Sequence, residues 1–358
     1  MPHSHHSHSG QFCKHAEGNL EHVVHEAIRQ KFQVFGLTEH VPRYRTQDLY
    51  PEEVCRSLSP PCKSLLIRSK DGLPINSLSQ QFRHFLDESH HLKHLYSAQI
   101  HLLVGIETEY ISPTDLDQLQ ILLSKESSRI QYIVGSVHHV NQIPIDFDEA
   151  TFLESRSSLS SQATSDHELQ EIFFSEYLDA QYELITRFLP EVIGHLDLCR
   201  LYTPDLRFED YPGAWLKLER NIAEAVRYGA LFEVNSASFR KGWNSAYPGE
   251  DVIQVGGLLA SLDVIRRTSV IQLIQKHNGH LALSDDSHGP HAVALNYNRL
   301  YKYLRRMEVN EIWYLEESDV ANAAGRFVKA VKFDGVWCEH SFWAGKLDDG
   351  FTGSIPES

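Results

Sequence analysis

The sequence predicts an α/β fold in which parallel strands alternate with helices and curl into a barrel. Two observations predict it. Short apolar runs of strand length alternate with segments of helical periodicity, the pattern of parallel β/α units. Polar residues recur at the C-terminal ends of those runs, the rim on which β/α barrels carry their sites. The chain of 358 residues shows no internal repeat and is long enough for one large barrel or two ordinary domains.

The elements follow in order. Leu20, Val23, Val24, Ala27 and Ile28 keep i, i+3, i+4 spacing, so a helix begins after Asn19, a side chain suited to cap it. A strand over residues 33–38 runs into Glu39 and His40. Residues 100–107 form a strand ending in Gly105-Ile106-Glu107, and residues 132–137 one that leads into His138. Residues 191–196 carry Gly194-His195-Leu196-Asp197, and residues 230–235 end in Glu233-Val234-Asn235. Residues 280–284 run into Asp285-Asp286-Ser287-His288, and a strand over 311–315 closes the series. Helical patterns cover 168–188, 215–227 and 264–277.

Two segments interrupt the alternation. Residues 57–78 are rich in Ser, Pro and Lys, and residues 154–166 are almost all Ser, Thr, Gln and charged. Both read as long surface insertions. The expected organisation is one domain over 1–345 with insertions near 57–78 and 154–166, and a loosely ordered tail over 346–358.

Composition narrows the function. Hydrophobic residues make up 42% and charged residues 23%, the balance of a soluble globular chain. No run approaches the roughly 20 apolar residues of a membrane span, and the N-terminus has no apolar segment of a secretory signal, so a cytoplasmic location is expected. Net charge is −15, which disfavours nucleic acid and anionic membranes as partners. Bound divalent cations would offset that charge locally, so a phosphorylated substrate stays compatible. Cys13, Cys55, Cys62, Cys199 and Cys338 are scattered, with no C-x-x-C pair, and read as reduced thiols.

Histidine is the outlier, with 22 residues, seven of them in the first 25 positions. His6-Ser7-His8 puts two imidazoles on one face of an extended segment, because side chains alternate with period two. His3-Ser4-His5 offers a second such register, and the whole run also has the composition of a disordered tail. His15 and His40 follow, then Glu107, His138, His195, Asp286 and His288, each near a strand end. Imidazole and carboxylate together suit zinc, manganese and iron. Any one of these histidines alone is better explained as a core residue; the ordered set is not.

The ordered motifs His6-Ser7-His8, His15-Ala16-Glu17-Gly18, Leu37-Thr38-Glu39-His40, Gly105-Ile106-Glu107, Gly135-Ser136-Val137-His138, Gly194-His195-Leu196-Asp197-Leu198 and Asp286-Ser287-His288 resemble the polymerase-and-histidinol-phosphatase (PHP) family of phosphoesterases. The stretches Glu233-Val234-Asn235 and Phe239-Arg240-Lys241 look like its histidinol-phosphatase branch, and the two insertions like its fungal members. The resemblance implies a distorted (β/α)7 TIM-like barrel holding two or three divalent ions, Zn, Mn or Fe. It implies His6, His8, Glu107 and Asp286 at a first position, Glu107 bridging to a second with His138 and His195, and His15, His40 and His288 at a third. Two features depart from the family pattern: Ser4 stands where an acidic residue is usual, and His15 follows His8 one residue later than usual.

The implied activity is hydrolysis of L-histidinol phosphate, with Glu107, Asp286 and His138 as the catalytic group. Paired metals activate water and polarise a phosphoryl oxygen. Arg240 is the first candidate for a phosphate clamp, because a planar guanidinium matches phosphate geometry. Asn235, Arg43 and Arg200 follow as substrate-binding candidates, Asp146 or Glu233 as partners of the substrate ammonium, and Asp197 as a group orienting a ligand histidine. Competing readings are a phosphoesterase for another small ester, a catalytically inactive metal-binding module, and a metal-dependent amidohydrolase. The residues leave oligomeric state open.

Overall fold

The computed structural model describes residues 2–50, 53, 75–249 and 270–347. The chain enters through two short strands, β1 (His3–Ser4) and β2 (Ser7–His8). In α1 (Leu20–Arg29), Asn19 Oδ1 accepts from the His22 amide at 2.8 Å. Such a cap stabilises a helix by about 1 kcal/mol. Leu20, Val23, Val24 and Ala27 form its buried stripe, as their spacing requires.

Next come β3 (Val34–Leu37), α2 (Ile75–Leu95), β4 (His101–Glu107), α3 (Pro113–Lys125) and β5 (Tyr132–Gly135). A small hairpin, β6 (His139–Val140) and β7 (Ile143–Pro144), leads to α4 (Glu149–Ser157) and α5 (Asp166–Phe188). Then follow β8 (Val192–Ile193), α6 (Pro212–Tyr228), β9 (Leu231–Asn235), α7 (Val270–Lys276), β10 (His280–Ser284) and β11 (Ser287–His288). The described chain closes with α8 (Tyr297–Arg306) and a hairpin, β12 (Trp313–Glu317) and β13 (Val328–Lys332). Among the described residues no helix is long and apolar enough to cross a membrane.

Seven strands make one parallel sheet in the order β1-β3-β4-β5-β8-β9-β10. Its edges meet through side chains. The Leu283 amide donates to His3 Nε2 at 2.8 Å, the Asp285 amide to Ser4 Oγ at 3.2 Å, and the Ser4 hydroxyl to Asp285 Oδ1 at 2.8 Å. Above that seam β2 pairs parallel with β11, Ser7 opposite Ser287 and His8 opposite His288. The expected seven-stranded barrel is present and nearly closed.

The seventh strand is not the expected one. Residues 311–315 overlap β12, which pairs antiparallel with β13 outside the barrel. The barrel strand is β1, whose His-Ser content carries no apolar periodicity to announce it. The hairpin plugs the floor instead. Tyr314, Leu315 and Val328 pack against Val34, Leu103, Tyr132, Val134, Val192, Leu231 and Ala282, which fill the interior. Tyr132 crosses that interior and its hydroxyl donates to the His5 carbonyl at 2.8 Å. A Cβ on Gly36 would lie 1.9 Å from that hydroxyl, and one on Gly105 2.5 Å from the ring, so both positions need glycine.

Residues 154–166 are more ordered than a loop. They begin in the last turn of α4, where buried Ser155 donates to the Val140 carbonyl at 2.9 Å. They continue through a 3-10 turn (Ser160–Gln162) to the first residue of α5. Phe152, Ser155 and Leu159 point inward, which fixes the segment despite its polar composition. Of the other expected segments, residues 57–74, 264–269 and 348–358 lie outside the described residues; 75–78 open α2.

Candidate metal centre

Glu107 ends β4 at the centre of the rim and is 1% exposed. Its Oε1 lies 3.1 Å from His6 Nε2, 3.2 Å from His138 Nε2 and 3.1 Å from His195 Nε2. Its Oε2 lies 3.2 Å from His8 Nε2 and 3.0 Å from His40 Nδ1. Asp286 Oδ1 stands 3.5 Å from His6 Nε2 and 3.6 Å from His8 Nε2. Asp286 adopts a left-handed backbone (φ 46°), a conformation Asp tolerates better than most residues. That turn separates the two adjacent carboxylates: Asp285 stays on the β1 seam and Asp286 faces the cluster.

The strands explain this convergence. His40 bridges to Glu107 in parallel register, the Glu107 amide donates to the Glu39 carbonyl at 2.9 Å, and the Val41 amide to the Glu107 carbonyl at 3.0 Å. The β2–β11 register brings the rings of His8 and His288 to 4.6 Å. His15 follows from the loop after β2, with its ring 5.0 Å from His288 and 5.6 Å from His40.

Hydrogen bonding alone does not account for the inner atoms. Three imidazole nitrogens converge on the single oxygen Glu107 Oε1, more than its lone pairs accommodate well. His6 and His8 face each other Nε2 to Nε2 at 3.1 Å, and His138 and His195 at 3.2 Å. Ligands held at 2.0–2.1 Å from one ion stand about 3.0–3.4 Å apart. The inner donor set therefore fits divalent ions.

Carboxylates face three of the outer nitrogens. His6 Nδ1 meets Glu233 Oε2 at 3.1 Å, His8 Nδ1 meets Glu39 Oε2 at 3.3 Å, and His138 Nδ1 meets Glu109 Oε2 at 3.3 Å. This is the carboxylate–histidine–metal arrangement that fixes tautomer and ring orientation. The carboxylates are themselves anchored. Glu233 Oε1 accepts the His195 amide at 2.6 Å and Asn235 Nδ2 at 2.8 Å, and Glu39 Oε1 accepts from the Ser9 amide and hydroxyl.

The electrostatics agree. Burial opposes charge on His6 and His138, yet the carboxylates around them hold both well above the usual histidine range. Burial likewise opposes charge on Glu107, but His6, His40 and His138 keep it well below the carboxylate range. His15, facing no carboxylate so closely, is pushed down to about 3 by burial and then by His40 and His8.

The model of the PHP domain matches residues 4–237. The chain belongs to the PHP-domain family. The probable histidinol-phosphatase of Schizosaccharomyces pombe is 39% identical over 340 residues, covering 94% of this chain and 96% of that protein. The histidinol-phosphatase of Saccharomyces cerevisiae is 27% identical over 344 residues, covering 88% and 92%. Two solved structures share the fold. The putative histidinol phosphatase hisK of Listeria monocytogenes superposes with TM-score 0.58 at 17% identity, over 82% of this chain and 98% of that one. The histidinol phosphate phosphatase of Lactococcus lactis, complexed with zinc, L-histidinol and phosphate, superposes with TM-score 0.55 at 16% identity, over 87% and 95%.

The PHP rim opens on a cleft of about 370 Å³. His15, His40, Glu107, His138, His195, Asp286 and His288 line it with Tyr50, Asp146 and the buried Tyr247, and the exposed Phe147, Arg240 and Lys241 form its mouth. Arg240 is exposed at that mouth and donates to the Asp286 carbonyl at 2.8 Å. His6 and His8 lie beneath the cleft against Glu107, whereas His3 and His5 turn away and accept the Leu283 and Leu315 amides at 2.8 and 2.9 Å.

Other expected substrate contacts fall elsewhere. Arg200 is fully buried, paired with Asp197 Oδ2 at 2.5 Å and donating to the Leu206 carbonyl at 3.0 Å. Asp197 therefore orients an arginine and the Gly249 amide rather than a histidine. Asn235 is buried, one amide end on Glu233 and the other capping the Ala237 amide. Arg43 is buried and forked on Glu53 at 2.8–3.0 Å, with Glu109 at 3.3 Å. Glu233, one of the two ammonium candidates, is beneath His6 instead of in the cleft. Glu39 and Glu109 are site residues that the motif order alone does not single out. The signal that would have found them is local: each stands one or two residues from a ligand-type residue at a strand end.

Proposed function

We propose that this chain hydrolyses L-histidinol phosphate to L-histidinol and inorganic phosphate, a step of histidine biosynthesis, at a divalent-metal centre. The observation that carries the proposal is the inner ring of imidazole nitrogens around Glu107, with a buried carboxylate facing the outer nitrogen of His6, His8 and His138. The curated relatives named as histidinol-phosphatases over nearly the whole chain support the substrate.

In this reading His6, His8, Glu107 and Asp286 hold one ion, Glu107 with His138 and His195 a second, and His15, His40 and His288 a third. Bound divalent ions supply Lewis acidity and an acidified water. The chain supplies the rest. Glu233, Glu39 and Glu109 keep the ligand rings in one tautomer. Arg240 at the mouth offers a guanidinium fork to phosphate oxygens. Asp146, which also lines the cleft, offers a carboxylate to the substrate ammonium. A cytoplasmic location belongs to the same proposal and is supported by the free thiols of Cys13, Cys199 and Cys338.

The test is phosphate release by the zinc- or manganese-reconstituted chain from histidinol phosphate, beside p-nitrophenyl phosphate and nucleoside monophosphates. A strong preference for histidinol phosphate is expected. Comparable rates on all esters would sink the substrate assignment. Bound metal with no hydrolysis would favour a binding module.

A further inference from the structure

The rim groups differ in their anionic ligands. One holds His6, His8 and Asp286, and another His8, His40 and Glu107. The group of Cys13, His15, His40 and His288 has its four donor atoms within 4.8 Å of one another and contains no carboxylate. A divalent ion among three neutral imidazoles would lack the anion that Asp286 or Glu107 provides in those two groups. Cys13 supplies the missing chemistry if it binds as thiolate, the form in which cysteine ligates metals.

Geometry places the sulfur for that role. Cys13 Sγ lies 3.1 Å from His15 Nε2, and Cys13 is 6% exposed. The loop that carries both is firmly built. The amides of Phe12 and Cys13 donate to the Ser9 carbonyl at 3.1 and 2.8 Å, and the Gly10 amide to the Glu17 carbonyl at 3.1 Å. The Glu17 amide donates to the His288 carbonyl at 3.1 Å, which ties the loop to the strand that presents the third imidazole. A Cβ on Gly10 would sit 2.6 Å from the Ala16 carbonyl oxygen, so the turn is closed tightly. Cys13 also groups with His8 and Glu39, so its sulfur lies within reach of a second set of ligand-type atoms.

We propose that Cys13 is a ligand of the third metal position, which makes that position a thiolate–imidazole site of one sulfur and three nitrogens. Its donors are softer than the carboxylate-bearing positions beside it. Thiolate favours zinc, while carboxylate also suits manganese. The third position therefore discriminates against manganese more strongly than its neighbours do. The inference rests on the metal-centre reading of the rim.

The experiment loads the metal-free full chain with cobalt(II), counts bound ions, and records the near-ultraviolet spectrum. Wild type, Cys13→Ser and Cys13→Asp are compared, with circular dichroism as the control for folding. The wild type is expected to show a thiolate-to-cobalt charge-transfer band. Cys13→Ser should lose the band and one bound ion. Cys13→Asp, which keeps an anionic ligand without sulfur, should lose the band and keep the ion. A loaded wild type without the band, or a band that persists in Cys13→Ser, overturns the role of Cys13 and leaves the metal centre standing. A folded wild type that takes up no cobalt overturns both.

Discussion

The two ends of the barrel use the same residue type to opposite purposes. His3 and His5 point to the floor, where their Nε2 atoms accept the Leu283 and Leu315 amides at 2.8 and 2.9 Å. His6 and His8 point to the rim, where their Nε2 atoms meet Glu107 at 3.1 and 3.2 Å. All four are fully buried. Burial pushes His5 down to about 3, and nothing opposes it. Burial also acts against charge on His8, but hydrogen bonds with Glu107 and Glu39 outweigh it and raise the group to about 9. Burial alone does not tell a structural histidine from a ligand; the chemistry facing its nitrogens does.

The largest effect is expected at the rim. Glu107→Gln removes the anion shared by five imidazoles, so bound metal should fall and phosphate release should drop to background. Normal metal content with normal turnover would remove Glu107 from the centre.

The matching break at the floor is Arg326→Ala. Arg326 Nε lies 2.6 and 2.8 Å from the two oxygens of Glu191, which also accepts the Ile133 amide. Arg326 is only partly buried, so removing it should cost less than the about 3–5 kcal/mol of breaking a fully buried pair. Chemical denaturation should register that loss while the folded fraction keeps its turnover number. A fall in turnover would mean that floor and rim are coupled.

A smaller effect sharpens the rim side. Glu233→Gln leaves every inner nitrogen in place but weakens the hold on His6 Nδ1. Metal affinity or activity should fall about 10- to 100-fold, the usual range for such partners. No change would make Glu233 a packing residue.

The last contrast is in pH. His5 has its folded pKa near 3, below the unfolded value of about 6.5. Its contribution to stability is full above about 6.5 and is lost as pH falls toward 3. His8 in the metal-free protein is raised to about 9, so its contribution is full below about 6.5 and is lost as pH rises through 9. Unfolding measured on metal-free protein should show both limbs. Substituting His5 should flatten only the acid limb, and substituting His8 only the alkaline one. An acid limb unchanged in the His5 variant would contradict the floor assignment.

Much of the fold was legible because it is written locally. The stripe of Leu20, Val23, Val24 and Ala27 with its Asn19 cap needs no distant partner to be recognised, and the strands into Glu107 and Asp286 are apolar runs with polar ends. β1 was not legible as a barrel strand. It is two polar residues long, and its place comes from pairing with β3 and from side-chain bonds to residues 280 positions away. Residues 311–315 were legible as a strand but not as a plug, since hydrophobicity says nothing of which sheet a strand joins. At the site, the metal-ligand types were legible from their order along the chain. The pairing of Arg200 with Asp197 was not, because a buried and an exposed arginine look alike in sequence.

The sequence by itself determined the alternation of elements, the residue types at each strand end and the family. Those are properties of short segments, set by side-chain periodicity and chemistry. Only the tertiary structure decided which histidines face carboxylates and which face amides, which carboxylates orient them, and which arginine reaches the cleft. Those depend on strand register and on the closure of the seam between β1 and β10, where residues far apart in the chain come within hydrogen-bond distance.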